Sequence, residues 1–242
     1  NAIPKKSSGF VRIKHAVATD ISPDKKEISF HPIGADDKKS GKAEKLHFDY
    51  LVLATGSTYT VPIKQDPNDY TRATTESKLQ DVRSEIEKAG KVLIVGGGAV
   101  GCEMAGQIKA KYPDKNLHAA LDAMKVNVIL GERLTERLPG NSFERRTLRT
   151  DKGTEIETDI QLLCGGFCPV SDLIQDMDPS LVTEQGSIKV NELLQLDNEK
   201  YSNIFALGDS SNHDTPKMAF WAADQGKFLA AQLAAVVQKK QD

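Results

Sequence analysis

The sequence predicts an α/β chain with doubly wound parallel sheets, and three observations carry that expectation. Short apolar runs rich in branched residues recur at 50–53, 91–95, 160–163 and 204–207. Runs of that length and composition suit parallel strands buried on both faces. Each ends in small residues, and two stretches between or after them, 75–90 and 215–240, keep helical spacing. One run, in "KVLIVGGGAVGCEMAGQI" (91–108), passes directly into Gly96, Gly98 and Gly101 and then into helical sequence. A strand, a glycine turn and a helix in that order form the phosphate-binding unit of a dinucleotide site.

The elements follow in chain order. "FVRIKHAVATDISPDKKEISFHPI" (10–33) alternates apolar and polar residues around a Pro-Asp-Lys-Lys turn at 23–26, as antiparallel strands do. The basic stretch "KKSGKAEK" (38–45) lies between two strand-like runs and reads as a solvated hairpin tip rather than a binding patch. The strand at 50–53 ends in Ala54-Thr55-Gly56, and polar residues with two prolines make 57–75 a linker. Thr75 is the expected N-cap of the next helix, with Lys78 in the place a capping box gives to Glu. Its apolar positions are Leu79, Val82 and Ile86, and Gly90 closes it.

Each glycine of the mid-chain motif has its own physical role. Gly96 permits the tight turn, Gly98 admits a pyrophosphate to the backbone, and Gly101 lets the helix Ala99–Lys111 pack close to the strand. The helix then points its first amides and positive dipole end at the phosphates.

Beyond Lys111 a second strand is expected, ending in an acidic residue about 20 residues past the glycines. "YPDKNLHAALDAMKVNVIL" (112–130) offers no such strand to the eye. Residues 117–124 read as helix and 126–130 as the next strand, with Asp114 and Asp122 at a suitable distance but in the wrong context. A strand and part of a helix are therefore expected to be missing between about Asn116 and Leu117, omitted from the chain as numbered or lost from a truncated variant. Order returns with a hairpin about Lys152-Gly153, a strand Ile160–Leu163 ending in Cys164-Gly165-Gly166, and a β segment in "GSIKVNELLQL" (186–196). A strand at 204–207 ends in Gly208-Asp209, and a long last helix has Thr215 as N-cap candidate and Pro216 in its first turn.

The charge balance, 32 Lys+Arg against 34 Asp+Glu, gives no electrostatic argument for nucleic acid. Three cysteines cannot make a disulfide framework, so a reducing compartment is the default. Cys164 and Cys168 are spaced C-x3-C with no Cys or His cluster beside them, so neither a redox pair nor a metal site is expected. His213 reads as a surface histidine. The chain opens on Asn, so the absence of a leader in the first residues carries no weight for targeting.

Four features in fixed order carry a resemblance: ATG at 54–56, GGGAVGCE at 96–103, CGG at 164–166, and "NIFALGDSSNHDTPKMAFWAADQG" at 203–226. The set resembles the two-dinucleotide-domain flavoprotein oxidoreductases, the pyridine nucleotide-disulfide reductase-like family. "TDKGTEIETDIQLLCGG" and "DTPKMAFWA" look most like the apoptosis-inducing-factor-like, ferroptosis-suppressor branch. The resemblance implies a Rossmann-like FAD/NAD(P)-binding fold with the NAD(P)H domain inserted in the FAD domain. It divides the chain into a partial FAD domain at 1–74, an NAD(P)H domain at 75–168 with its apparent gap near 116/117, and a return to the FAD domain at 169–242. The family's earlier G-x-G-x-x-G, which binds FAD, has no copy in this sequence.

The resemblance implies these roles. Gly96, Gly98 and Gly101 cradle NAD(P)H phosphates. Glu103 contacts the nicotinamide side or steadies the loop, or else only complements the helix dipole. Ala54, Thr55, Gly56 and Gly165 lie near the cofactors. Asp209, after Gly208, accepts hydrogen bonds from the flavin ribityl hydroxyls, or is an ordinary strand-end turn residue. Lys217, Met218 and Ala219 open the last helix, whose amides face the flavin oxygen where negative charge gathers. Lys217 is the one catalytic candidate, adding positive charge there, with a solvated helix-start lysine as the alternative. Phe220 and Trp221 wall the flavin or quinone site or, as the better reading, pack in the core.

The implied activity is FAD-dependent NAD(P)H oxidation with a quinone-like acceptor, in a cytoplasmic protein with mitochondrial or peripheral membrane association left open. Ferredoxin- or rubredoxin-reductase-type transfer to a protein, and a non-enzymatic truncated flavoprotein, stand as alternatives. Oligomeric state is undetermined by the sequence.

Overall fold

The computed structural model describes residues 11–36, 38–59, 70–114, 116–118, 126–165 and 167–239. The chain divides into two compact units. One comprises residues 1–57 and 169–242, and the other comprises residues 58–168.

In the first unit, β1 (Ala16–Ser22) and β2 (Glu27–Pro32) form an antiparallel hairpin, with β3 (Glu44–His47) added to β2. The expected turn is a single 3-10 turn, Pro23–Lys25, ended by Lys26 in the left-handed region. Next comes β4 (Leu51–Leu53), then β5 (Ser57–Thr58), where the chain leaves this unit.

The second unit begins with α1 (Arg72–Lys88). Its N-cap is Thr71, whose hydroxyl accepts from the Thr74 amide, not Thr75 as the sequence suggested. Thr75 lies inside the helix, where its amide and its hydroxyl both donate back to Thr71 O, at 3.3 and 3.2 Å. At the other end Ala89 is the C-cap in extended conformation. The helix is not closed by a left-handed glycine. Instead, the Gly90 and Lys91 amides both donate to Asp159 Oδ2, at 2.8 Å each.

From there β6 (Lys91–Val95) leads into α2 (Ala99–Lys111). β7 (Asn116–His118) then pairs parallel with β6, so the second strand does exist. The expected absence of a strand and the expected helix at 117–118 are overturned. Residues 119–125, where that helix was to continue, lie outside the described residues. The expected strand at 126–130 is only an isolated bridge at Asn127, with Val126 in the core. β8 (Arg146–Arg149) and β9 (Glu155–Thr158) form the expected hairpin, and β10 (Ile160–Leu163) returns beside β6. The parallel sheet therefore has the order β10-β6-β7.

This sheet is covered on both faces, which explains the unbroken apolar sequence of β6. Val92 and Ile94 pack with Val82 and Ile86 of α1 and with Ala105 and Ile108 of α2. Leu93, one residue out of phase, packs instead with Leu138, Leu148 and Ile156 on the hairpin side. Each such aliphatic side chain contributes ~1.5–3 kcal/mol by burial.

The chain re-enters the first unit through β11 (Cys168–Pro169) and continues with α3 (Asp172–Met177), β12 (Ile204–Ala206) and α4 (Ala219–Lys239). β12 pairs parallel with β4, and Leu53, Ile204 and Ala206 join one core cluster. Phe205 points the other way, against Leu229 of α4. The 50–53 run is less buried than expected, because Val52 is 39% exposed. The expected β segment at 186–196 consists of isolated bridges. It is broken by a turn in which buried Leu194 takes φ 61°. Among the described residues no helix is long and apolar enough to cross a membrane.

Candidate functional site

The glycine turn of the second unit is built where β6 meets α2. Gly96 takes φ 118°, a region L side chains rarely enter. A Cβ there would meet the Cys164 carbonyl carbon and oxygen at 2.8 Å. The turn therefore lies tight against the end of β10. Gly101, on the first turn of α2, is closer still, since its Cβ would collide with the Gly96 carbonyl oxygen. Gly98 is different. It is the N-cap of α2, with φ −75° and ψ −179°, and a Cβ there would meet nothing within 4 Å. The first helical hydrogen bond runs from Cys102 N to Gly98 O. The amides of 99–101 thus precede the hydrogen-bonded ladder and form the positive end of the helix. A helix start with three such amides and nothing crowding Gly98 fits a phosphate.

Beside this turn the same unit holds a cleft of about 1100 Å³. Its walls include Gly96, Gly97, Gly165, Phe167 and the charged Glu132 and Arg133. Gly165 is exposed at its rim. Glu132 accepts from the Thr150 hydroxyl at 2.5 Å, and that bond holds its carboxyl below the usual range. Glu103 is exposed on α2 and does not line this cleft.

Cys164 is 6% exposed beneath the turn, and burial pushes its thiol up to about 11. Cys102 and Cys168 are also free, and among the described residues no His, Cys, Asp and Glu group could hold a metal.

The second cluster belongs to the first unit. Gly56 takes φ 70°. Its carbonyl accepts from the Val170 amide at 2.9 Å, while the Thr55 hydroxyl donates to the Val170 carbonyl at 2.5 Å. Ala54 and Thr55 are exposed. After β12, Gly208 takes φ 71° and opens a one-turn 3-10 helix, Gly208–Ser210, that carries Asp209.

The last helix starts later than expected. α4 begins at Ala219, four residues after Thr215, and Met218 O accepts from Ala222 N. Thr215 and Pro216 are therefore not its N-cap and first turn, and Lys217 precedes it. The reason is visible in the hydrogen bonds. Lys217 Nζ donates to Ser211 O at 2.9 Å and His213 O at 2.6 Å, folding residues 211–217 into a turn. The amides that α4 offers are thus those of 219–221. Desolvation lowers the Lys217 pKa, while the nearby Asp209 and Asp214 carboxylates oppose that shift. Met218 is exposed, and so is Phe220, at 70%. Phe220 is therefore not a core residue, contrary to expectation. It meets Trp221 edge-on at 5.4 Å. His213 is half-buried, with Nδ1 3.3 Å from the Thr215 hydroxyl.

Two residues of this cluster escaped the sequence reading. Ser57 Oγ donates to Asp209 Oδ2 at 2.7 Å, across 152 positions of sequence. Buried Gln225 accepts from Gly208 N at 2.7 Å and donates to Thr215 Oγ1 at 2.6 Å. A Gln seven residues into a helix carries no spacing signal. Only the hydrophobic positions around it mark that face of α4 as turned inward.

A parallel sheet with helices, a glycine turn feeding a helix N-terminus, and a second strand-end turn carrying an acidic residue together define a Rossmann-like α/β dinucleotide fold. A profile of the pyridine nucleotide-disulphide oxidoreductase family matches residues 6–226, and the chain belongs to that family. The family is one of FAD- and NAD(P)H-dependent oxidoreductases.

Ferroptosis suppressor protein 1 of Mus musculus is 33% identical over 215 residues, covering 78% of this chain and 57% of that protein. Apoptosis-inducing factor homolog A of Dictyostelium discoideum is 29% identical over 226 residues, covering 77% and 55%. The chain thus spans little more than half the length of these relatives. Among solved structures, the water-forming NADH oxidase from Lactobacillus brevis bound to NADH superposes with TM-score 0.63 at 24% identity, covering 90% of this chain and 52% of that one. A NAD-dependent persulfide reductase from A. fulgidus gives 0.65 at 22%, covering 90% and 44%. At these identities the structures speak for the fold alone.

Proposed function

We propose that this chain carries the dinucleotide-binding machinery of an FAD-dependent NAD(P)H oxidoreductase with a quinone-like acceptor. The observation that carries the reading is the turn at Gly96, Gly98 and Gly101, with its open approach at Gly98 and the first amides of α2 behind it. NAD(P)H phosphates would be held there. The adjoining cleft, with Gly165 at its rim, would take the rest of the nucleotide. Glu103 would hold no part of the nucleotide, because it is exposed on α2 past the first turn, where the dipole effect has faded, and lies off the cleft wall.

On the flavin side, Asp209 would accept hydrogen bonds from hydroxyl groups. Gly208 would give the turn its left-handed start, and Ala54, Thr55 and Gly56 would supply adjacent backbone. Lys217 would hold positive charge near the first amides of α4, with two of its three N–H groups already fixed by carbonyls. Met218 and Ala219 would border the same place. When bound, the nicotinamide and flavin supply the hydride chemistry themselves. No side chain need move a proton in that step. The quinone-like acceptor rests on the resemblance of residues 150–166 and 214–222 to the ferroptosis-suppressor branch.

The test is to load the purified chain with FAD and add NADH, then NADPH, without oxygen. The expected result is bleaching of a protein-bound flavin absorbance and its return when a soluble quinone is added. Protein of intact mass that takes up no flavin, or a bound flavin that neither nucleotide reduces, overturns the reading.

A further inference from the structure

Asp209 is held at both ends. Its backbone is fixed by the Gly208–Gln225 hydrogen bond and by Ser211, whose amide and hydroxyl both reach Gly208 O, at 3.2 and 3.0 Å. Its carboxylate is fixed by a residue from a different part of the chain, Ser57, which is itself 8% exposed. The two Val170 hydrogen bonds set the backbone at Thr55 and Gly56 just before that serine. The positive φ of Gly56 turns the chain there. A carboxylate that must accept hydrogen bonds from a ligand gives up rotamer freedom on binding, unless a neighbour has already removed it.

We propose that Ser57 is a positioning residue for flavin binding. It acts through Asp209 by presetting the carboxylate that receives the ligand's hydroxyls. The inference rests on the flavin reading above and deepens it.

The test measures FAD affinity of the full 242-residue chain by titration of the flavin-free protein. It uses Ser57→Ala, Ser57→Thr, Asp209→Ala and the Ser57→Ala/Asp209→Ala double variant, with thermal melts alongside. Ser57→Ala is expected to weaken FAD binding about 3- to 10-fold, the cost of ordering one side chain on binding. Ser57→Thr keeps the hydroxyl and restores affinity to within about twofold of the parent. In the Asp209→Ala background, Ser57→Ala changes affinity less than about twofold, because the group it positions is gone. A Ser57→Ala variant that melts lower but binds FAD as the parent does overturns the inference and leaves the flavin reading intact. Equal losses in both backgrounds overturn it as well. A parent chain with no saturable FAD binding overturns the flavin reading, and this inference with it.

Discussion

Replacing Gly98 and Gly101 by alanine, one at a time, separates the fold from the ligand. At Gly98 the backbone angles, φ −75° and ψ −179°, suit alanine, and the new methyl meets nothing within 4 Å. Losing a favourable N-cap costs about 0.5–1 kcal/mol. Stiffening the unfolded chain returns about 0.4–1 kcal/mol. The net change is near zero, and the melting temperature should move by less than about 2 °C. Nucleotide binding should respond very differently. The methyl occupies the approach a phosphate needs. Losing one charge-assisted hydrogen bond, about 1.5–3 kcal/mol, weakens NADH or NADPH roughly 10- to 150-fold.

At Gly101 the methyl collides with the Gly96 carbonyl, a main-chain atom that cannot swing aside. An overpacking cost of about 1–3 kcal/mol lowers the melting temperature by roughly 2–12 °C. Thermal melts and calorimetric titration with each nucleotide read both effects. Gly98→Ala protein with parental affinity for both nucleotides would refute the phosphate cradle. A Gly98→Ala melt as depressed as that of Gly101→Ala would refute the open geometry at 98.

Three further outcomes are expected. Asp159 is held below its ordinary carboxylate range chiefly by the Lys91 amide, with burial opposing and the Gly90 amide adding. Its stabilisation is present above the unfolded value near pH 4 and lost as pH falls through the lower folded value. Asp159→Asn should therefore cost about 1–2 kcal/mol at neutral pH, a gap that urea melts should find closing in stronger acid. Cys164, with its thiol at about 11, should resist alkylation at pH 8 in the folded protein while exposed Cys168 reacts, as mass mapping of labelled peptides will read. Rapid labelling of Cys164 would contradict the packing beneath the turn. Gln225→Leu leaves the Gly208 amide without its acceptor and should cost about 1–3 kcal/mol in denaturant melts.

The sequence made the β6–turn–α2 unit legible because glycine spacing, strand composition and helix onset all point the same way there. It hid β7, where three residues, Asn116–His118, are too few and too polar to show a period and run into a helical pattern. The start of α4 lies later than propensity places it. Thr215 and Pro216 are good helix openers, but Lys217 binds carbonyls at 211 and 213 and keeps the chain in a turn. The bridges at 186–196 turn on Leu194, a branched residue at positive φ, which no sequence rule would place there. At the flavin-side cluster, Asp209 and Lys217 carried recognisable chemistry, but Ser57 did not. Its partner lies 152 positions away, and only the fold brings the two together.

The turn at Gly96 and Gly101 also limits how this sequence can drift. The obstacles at both glycines are main-chain atoms: the Cys164 carbonyl for one and the Gly96 carbonyl for the other. Shrinking a neighbouring side chain relieves neither. A loss at either position therefore has no simple second-site suppressor in the packing around it. Cys164 is under a looser rule, since its side chain only touches the place a Gly101 Cβ would take, at 3.4 Å. Among descendants of this chain, position 164 is free to exchange small residues, while positions 96 and 101 stay glycine for as long as the turn is kept.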